Sequence, residues 1–147
     1  MTDHRPERHR VIVDVHLFLL DGEQVLLGRR TNTGYGDGAY HPPAGHLEYG
    51  ESVVAALMRE AKEEIDVTIS PEDVHLAHIM HNSSDGGRLA LFFDVHRWDG
   101  VPNNMEPEKC AELRWFSLDS LPDEMIPYAR AAFDQVRGKR PLSIYGW

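Results

Sequence analysis

Hydrophobic positions follow the period of a β-strand in some segments of the chain and the period of an α-helix in others. Runs rich in β-branched and aromatic residues predict five strands, at residues 11–19, 25–28, 74–80, 89–96 and 112–116. Apolar residues at helical spacing predict helices at residues 52–65 and 128–136, with Ser52 as the N-cap of the first. The order strands, helix, strands, helix indicates a mixed sheet with helices packed on it.

Polar and glycine-rich positions predict how these elements end. Asp21-Gly22 predicts a type I′ turn after the first strand, because both central residues of that turn have a positive φ. Within that strand, Asp14 and His16 interrupt the apolar run and predict a wetter face. Residues 31–38 hold three glycines without apolar periodicity and predict a mobile loop, and residues 141–147 are predicted to form a tail.

Composition narrows the class of protein. The length of 147 residues predicts one domain over residues 11–147, preceded by a flexible N-terminal arm over residues 1–10. A net charge of −9 argues against nucleic acid or an anionic membrane as partner, although a bound cation would still admit a small anionic substrate. Cys110 is the single cysteine, which excludes an intrachain disulfide and favours a cytoplasmic location.

Three glutamates share one face of the first predicted helix. Glu60, Glu63 and Glu64 fall within a narrow arc at about 100° per residue. Converging carboxylates suit Mg²⁺, which prefers oxygen ligands and completes its coordination with water and substrate phosphate. The alternative is a solvated helix face, which Arg59 would support by pairing with Glu63 four residues later.

The sequence upstream of these glutamates favours the metal site, because the whole segment resembles the Nudix box. That family pattern is G-x5-E-x7-R-E-U-x-E-E-x-G-U, where U is apolar. The matching residues are Gly45, Glu51, Arg59, Glu60, Glu63, Glu64 and Val67. Asp66 replaces the family glycine after the helix, although Asp tolerates a left-handed C-cap better than most residues. Pro42-Pro43-Ala44-Gly45 stands where the family usually has Leu-Pro-Gly-Gly.

The resemblance implies a fold and a reaction. The implied fold class is α+β, a Nudix-type α/β/α sandwich with a mixed β-sheet between helices. The implied reaction is hydrolysis of a nucleoside diphosphate linkage with Mg²⁺, or with Mn²⁺ as an alternative. Residues 25–30 and 104–110 resemble segments of MutT-like enzymes, which favours cleavage of a nucleoside triphosphate to a monophosphate and pyrophosphate.

Two other functions stay open beside that one. Nucleotide sugars, ADP-ribose and dinucleotides are alternative substrates of enzymes with the same box. A non-catalytic ligand sensor on the same fold is disfavoured, because every glutamate of the box is present. Many members of the family are dimers, so a homodimer is left open beside the small-molecule nucleotide partner.

Matching position by position assigns the expected roles. The catalytic group is Glu51, Arg59, Glu60, Glu63 and Glu64, and the metal ligands are Ala44 through its carbonyl, Glu60, Glu63 and Glu64. Arg59 is expected to pair with a glutamate such as Glu51 and to hold the geometry of loop and helix. The residue that accepts the proton from water is not distinguished among the box glutamates and Glu51.

Residues outside the helix complete the predicted site. Arg29 and Arg30 are candidate phosphate contacts, because a guanidinium group matches phosphate oxygens, and Gly45 is placed with them as substrate-binding. The alternative for the arginines is a solvated strand end. A metal ligand from outside the box is left open among Glu106, Glu108 and Glu112.

Overall fold

The computed structural model describes residues 6–147, in which strands and two helices follow the predicted order. The strands are β1 (Val13–Asp21), β2 (Gln24–Arg30), β3 (Tyr40–His41), β4 (Ala44–His46), β5 (His75–Asn82), β6 (Arg88–Val95), β7 (Cys110–Ser117) and β8 (Leu142–Tyr145). The helices are α1 (Val53–Ile65) and α2 (Pro127–Arg137), and short 3₁₀ turns lie at Pro71–Asp73 and Ser84–Gly86.

The sheet is mixed and is centred on β1. Its strand order is β3-β2-β1-β6-β5-β8, with β4 paired to β1 and β7 paired to β2. The long β1–β6 contact is parallel and runs from Val13 opposite Leu89 to Leu19 opposite Val95. β5 pairs antiparallel with β6 and parallel with β8. Strand β1 therefore connects the part of the sheet that carries β2 and β7 to the part that carries β5 and β8.

Each face of the sheet is covered by one helix. Val15, Leu17 and Leu19 of β1 pack with the buried residues of α1 in one hydrophobic cluster. Phe18 and Leu20, which point to the opposite face because side chains alternate along a strand, pack with α2 in a second cluster. The predicted α/β/α sandwich with a mixed sheet is confirmed.

Local signals fix both ends of α1. The Ser52 hydroxyl accepts a hydrogen bond from the Ala55 N–H at 3.1 Å, which confirms the predicted N-cap. At the other end Asp66 adopts the left-handed conformation (φ 57°) and its N–H donates to the Lys62 carbonyl. Asp66 thus forms the left-handed C-cap that a glycine usually forms at a helix end. The departure from the box pattern therefore leaves the helix intact.

Two predictions about the ends of strands are wrong. Residues 141–147 are not a tail, because Leu142–Tyr145 form strand β8 at the edge of the sheet, paired with β5. The turn after β1 is Gly22-Glu23 rather than Asp21-Gly22, since Asp21 still pairs with Gln24. In this turn Gly22 has a positive φ of 58° and Glu23 does not, which excludes type I′.

The wetter face predicted for β1 is also wrong at His16, whose side chain is 1% exposed. Helix α2 covers this face, and His16 stacks on Phe92 of β6 with ring centroids 4.3 Å apart. Asp14 lies two residues away, near the edge of that cover, and is partly exposed. The polar residue His16 therefore forms a buried hydrogen bond in this strand and does not contact water.

The N-terminal arm falls only partly within the described chain. Residues 1–5 lie outside it, and residues 6–10 are exposed and form neither helix nor strand. The loop of residues 31–38 is folded around Asp37, whose carboxylate accepts hydrogen bonds from the Thr33 N–H, the Thr33 hydroxyl and the Gly34 N–H. Neither helix of residues 6–147 is long and apolar enough to cross a membrane.

Candidate active site

A cavity of about 610 Å³ lies between the glutamate face of α1, the loops that follow β2 and β3, and the segment before β7. Its size falls within the range of about 300–1,000 Å³ that is usual for ligand pockets. Its walls are formed by Gly28, Arg29, Arg30, Asn32, Thr33, His41, Pro42, Pro43, Ala44, Gly45, His46, Glu48, Arg59, Glu60, Glu63, Glu64, Ile65, Glu106, Lys109, Cys110 and Leu113. The box glutamates of α1 and the two candidate phosphate-binding arginines thus share one cavity.

Glu64 is the most deeply buried carboxylate of the cavity. Its Oε2 accepts a hydrogen bond from the Ala44 N–H at 3.1 Å. Burial, and then the negative charges of Glu60 and Glu106, raise the pKa of Glu64 well above its ordinary value. The pKa of Glu60 is raised too, chiefly by burial. The cavity wall is therefore short of positive charge around Glu64, whereas Glu60 has the guanidinium group of Arg59 beside it.

Arg59 holds the remaining acidic groups with a guanidinium fork. It donates to both carboxylate oxygens of Glu51, at 2.7 and 3.1 Å. It also donates to Glu60 at 2.7 Å and to Glu63 at 3.3 Å. Hydrogen bonds from Arg59, and next from the Glu48 N–H, lower the pKa of Glu51. Arg59 thereby joins the loop that carries Glu51 to the helix face that carries Glu60.

Gly45 makes room for Glu60. A Cβ atom at Gly45 would stand 2.0 Å from Cδ and 2.1 Å from Oε1 of Glu60, so the end of the Glu60 side chain would have to move. The box glycine therefore lets this carboxylate approach the backbone closely, and it does not serve an unusual φ. Its predicted role as a substrate-binding residue stays a prediction, although it lines the cavity.

The backbone of Ala44 faces the glutamates. Ala44 of β4 lies opposite His16 of β1, and the neighbouring pair is joined by a hydrogen bond from the Leu17 N–H to the Pro43 carbonyl (2.8 Å). Antiparallel pairs alternate between bonded and non-bonded, so the N–H and C=O of Ala44 point away from β1. The N–H meets Glu64, and the carbonyl faces the same side, where the family resemblance expects a metal ligand.

Cationic side chains form the opposite wall. Arg30 donates through Nε to the Tyr35 carbonyl at 2.8 Å, and Arg29 donates through Nε to the Gly38 carbonyl at 3.2 Å. Both residues line the cavity, and the guanidinium group of Arg29 also lies 4.0 Å from the carboxylate of Glu124, which is outside the lining. Lys109, which the sequence analysis missed, lines the same wall.

The loops that carry these cations are joined to each other. The Thr31 N–H donates to the Lys109 carbonyl at 2.9 Å, and the Asn32 side chain donates to the Glu108 carbonyl at 3.2 Å. The loop after β2 and the segment before β7 therefore form one continuous wall. Lys109 lies in the segment 104–110 that resembles MutT-like enzymes, but its place in the cavity depends on this contact between distant segments.

The structure distinguishes among the three acidic residues proposed from outside the box. Glu106 lines the cavity, and its charge contributes to the raised pKa of Glu64. Glu112 lies away from the cavity and accepts a hydrogen bond from the Tyr40 hydroxyl. Glu108 contributes its backbone carbonyl to Asn32. Glu106 is therefore the one of the three that is brought to the box glutamates.

His46, at the end of strand β4, also lines the cavity. Its Nδ1 lies 2.6 Å from an Asp14 oxygen, and Arg88 binds both oxygens of the same carboxylate at 2.8 Å. The Arg88 and His46 hydrogen bonds oppose the effect of burial, and the net result is a lowered pKa for Asp14. An ionised carboxylate thus fixes the ring of His46 at the cavity rim.

The donor set fits a hard divalent cation. Within residues 6–147 no three acidic, histidine or cysteine side chains converge closely enough, as they stand, to enclose an ion. The reason is visible: Arg59 holds Glu60 and Glu63, and Glu64 is bound to the Ala44 N–H. The buried, uncompensated charge around Glu64 is nevertheless what a cation with oxygen ligands would neutralise.

Comparisons with known proteins agree with this arrangement. A family model described as the NUDIX domain matches residues 8–136. A protein named NAD-capped RNA hydrolase NudC, from Stutzerimonas stutzeri, is 32% identical over 104 residues, which are 69% of this chain and 34% of that protein. Isopentenyl-diphosphate Delta-isomerase from Cereibacter sphaeroides is 25% identical over 79% of this chain and 73% of its own. The chain spans about a third of the length of its NudC relative.

A solved structure agrees with the fold. The MutT NUDIX hydrolase from Burkholderia pseudomallei superposes with a TM-score of 0.78 at 24% identity, over 87% of this chain and 99% of that one. At this identity the likeness supports the fold alone. The family match covers most of the chain and includes every residue of the box. This chain therefore belongs to the NUDIX domain family.

Proposed function

We propose that this chain is a metal-dependent hydrolase that cleaves a diphosphate linkage in a nucleotide. The observation that carries the proposal is the polarity of the cavity. Buried Glu64, with Glu60 and Glu106 near it, supplies the acidic wall, and Arg30 and Lys109 add cationic residues to the same cavity. A diphosphate with its cation needs both, since the cation binds carboxylates and the phosphate oxygens bind cationic side chains.

The acidic wall is where Mg²⁺, or Mn²⁺ in its place, would be held. Glu60, Glu63, Glu64 and the Ala44 carbonyl are the proposed ligands, and Glu106 is the proposed ligand from outside the box. When bound, such a cation polarises phosphoryl oxygens and makes water a stronger nucleophile at neutral pH.

The remaining groups position the substrate and move a proton. Arg30 and Lys109, with Arg29 beside them, would bind a phosphate group of the substrate, either the leaving group or the phosphate that remains on the nucleoside. A carboxylate of α1 would accept the proton of the attacking water. Glu51 suits that role least, because Arg59 occupies both of its oxygens and lowers its pKa. Its proposed role is to fix Arg59.

The preferred substrate is a nucleoside triphosphate, giving a monophosphate and pyrophosphate. A dinucleotide linkage is the second candidate, because the NudC relative is named for hydrolysis of NAD-capped RNA. Nucleotide sugars and ADP-ribose belong to the same second class. The net charge of −9 favours free nucleotides over capped RNA. A homodimer, and the absence of nucleic acid and membrane partners, remain part of the proposal.

One assay tests this function. The purified protein is incubated with Mg²⁺ and a panel of nucleoside triphosphates, NAD, ADP-ribose, a nucleotide sugar, isopentenyl diphosphate and an NAD-capped oligonucleotide, with a chelator control. Turnover of a triphosphate with release of pyrophosphate is the expected result. Hydrolysis only of NAD or its capped form would replace the first candidate by the second. Hydrolysis that persists without divalent metal, or tight binding without turnover, would overturn the proposal.

Glu64→Gln is the matching variant. It removes the buried charge at nearly constant volume, and turnover should fall by at least about 100-fold while the circular dichroism spectrum is unchanged. Glu72→Gln, on the exposed 3₁₀ turn at Pro71–Asp73, is the control and should keep full activity. A folded Glu64→Gln protein with the activity of the control would contradict the assignment.

A further inference from the structure

Three polar side chains from distant parts of the chain form a buried row beneath the loop that carries Ala44. His16 (β1) and His41 (β3) are 1% and 8% exposed, and Tyr128 of α2 is partly buried between them. The Tyr128 hydroxyl lies 2.9 Å from Nε2 of His16 and 2.5 Å from Nε2 of His41. Burial lowers the pKa of His16 to about 4 and that of His41 well below its ordinary value, so both rings are neutral at pH 7.

One placement of the protons gives a donor and an acceptor to every hydrogen bond of this row. Nδ1 of His41 lies 2.6 Å from the Pro42 carbonyl oxygen, which can only accept, so this nitrogen carries the proton. Nε2 of the neutral His41 is then an acceptor, and the Tyr128 hydroxyl donates to it. The hydroxyl oxygen in turn accepts from Nε2–H of His16.

The far end of the row agrees with this placement. Nδ1 of His16 is buried and has no hydrogen-bond partner within residues 6–147. Because the proton of His16 is on Nε2 in this placement, the unpartnered Nδ1 carries a lone pair and no hydrogen. The row therefore runs in one direction, from His16 through Tyr128 and His41 to the Pro42 carbonyl.

The row ends on a loop that has few other anchors. Pro42 and Pro43 have no N–H, so their carbonyls are the backbone groups through which they can be held. The Pro43 carbonyl is bound by the Leu17 N–H, and the Pro42 carbonyl by His41. The next residue is Ala44, whose N–H binds Glu64.

We propose that Tyr128 is a positioning residue for the metal site, which acts by holding the His41 ring whose Nδ1–H binds the Pro42 carbonyl, and hence by holding the Ala44 backbone. Without the hydroxyl, Nε2 of His41 loses its hydrogen bond, and the ring is free to turn away from the Pro42 carbonyl. The metal consequence rests on the proposed function, whereas the tautomer does not.

The first test needs neither metal nor activity. Long-range ¹H–¹⁵N correlation spectra of the metal-free protein distinguish protonated from bare imidazole nitrogens. We expect Nδ1–H for His41 and Nε2–H for His16 in the unmodified chain, and a shifted or broadened His41 Nδ1–H signal in Tyr128→Phe, because the ring has lost its anchor. Nε2–H for His41 in the unmodified protein would overturn the proposal, whatever the protein hydrolyses and even if the variant failed to fold.

The second test measures Mn²⁺ affinity by electron paramagnetic resonance. Tyr128→Phe should bind Mn²⁺ about 10–100-fold more weakly, the usual effect of losing a group that orients a metal ligand. Tyr145→Phe removes a hydroxyl from a tyrosine that packs on the same core cluster, outside the row, and should bind normally. Phe133→Leu weakens the α2 core without touching the row and controls for lost stability.

The outcomes separate the two proposals. Weaker Mn²⁺ binding in Tyr128→Phe alone supports the positioning role. Equal weakening in Phe133→Leu at matched stability, or normal binding in Tyr128→Phe, overturns it. If the unmodified protein shows the predicted tautomers but binds no Mn²⁺, the description of the row stands and the metal-dependent function is overturned.

Discussion

Replacing His16 with glutamine tests how strongly burial holds this ring neutral. His16 is buried between β1 and α2, and its pKa is about 4 where the ordinary value is 6.5. Glutamine keeps an N–H that can reach the Tyr128 hydroxyl, but it does not titrate. The variant therefore removes the ionisable group while leaving a donor in its place.

The sign follows from the protons bound in each state. Between pH 6.5 and pH 4 the unfolded chain protonates His16 and the folded chain does not, so the free energy of unfolding decreases as the pH falls. The full difference corresponds to about 3 kcal/mol, complete near pH 4. His16 thus contributes stability that is present above pH 6.5 and is lost on acidification through this window.

The assay is urea unfolding of metal-free protein at pH 7, 6, 5 and 4. Other groups also titrate there, including His41 with its lowered pKa and Glu64 with its raised one, but both proteins share them. The difference between His16→Gln and the unmodified chain should therefore shift by about 3 kcal/mol in favour of the variant between pH 7 and pH 4. Parallel curves for the two proteins would refute the reasoning.

Two further predictions concern the packing of the site. Gly45→Ala should weaken Mg²⁺ binding by about 10–100-fold in calorimetry, because its Cβ would displace the Glu60 carboxylate, whereas Gly138→Ala, which meets only ordinary contacts, should not. Binding that is unchanged in Gly45→Ala would mean that Glu60 is not a ligand. Arg59→Lys should lower the melting temperature of the metal-free protein, because a lysine cannot bridge Glu51 and Glu60, and added Mg²⁺ should restore part of the loss. A loss that Mg²⁺ leaves unaltered would show that the cation does not compensate these carboxylates.

The parts of the molecule that the sequence predicted are those with local signals. The N-cap at Ser52, the apolar stripe and the left-handed residue at Asp66 all lie within or next to α1, and all three are present in the structure. The box spacing likewise brings Glu60 and Glu64 to one cavity because a helix fixes their relative directions.

The parts that were missed depend on contacts between distant segments. Strand β8 has four residues after a proline, and its partner β5 lies some sixty residues earlier, so nothing nearby marks it as a strand. His16 was assigned to a wetter face because its cover, α2, comes more than a hundred residues later. Lys109 reaches the cavity through its backbone contact with Thr31, which no local pattern encodes.

The arrangement of the two loops that carry Arg30 and Lys109 affects how the substrate preference of this cavity could change in evolution. Residues 31–32 and 108–109 bind each other, whereas the carboxylates are held by α1, Arg59 and the Ala44 loop. Substitutions of the cationic residues could therefore be selected together without rebuilding the box carboxylates. Glu106 is the exception, because its carbonyl binds the Lys109 N–H, so a change in this turn would alter a candidate metal ligand and a candidate substrate contact at once.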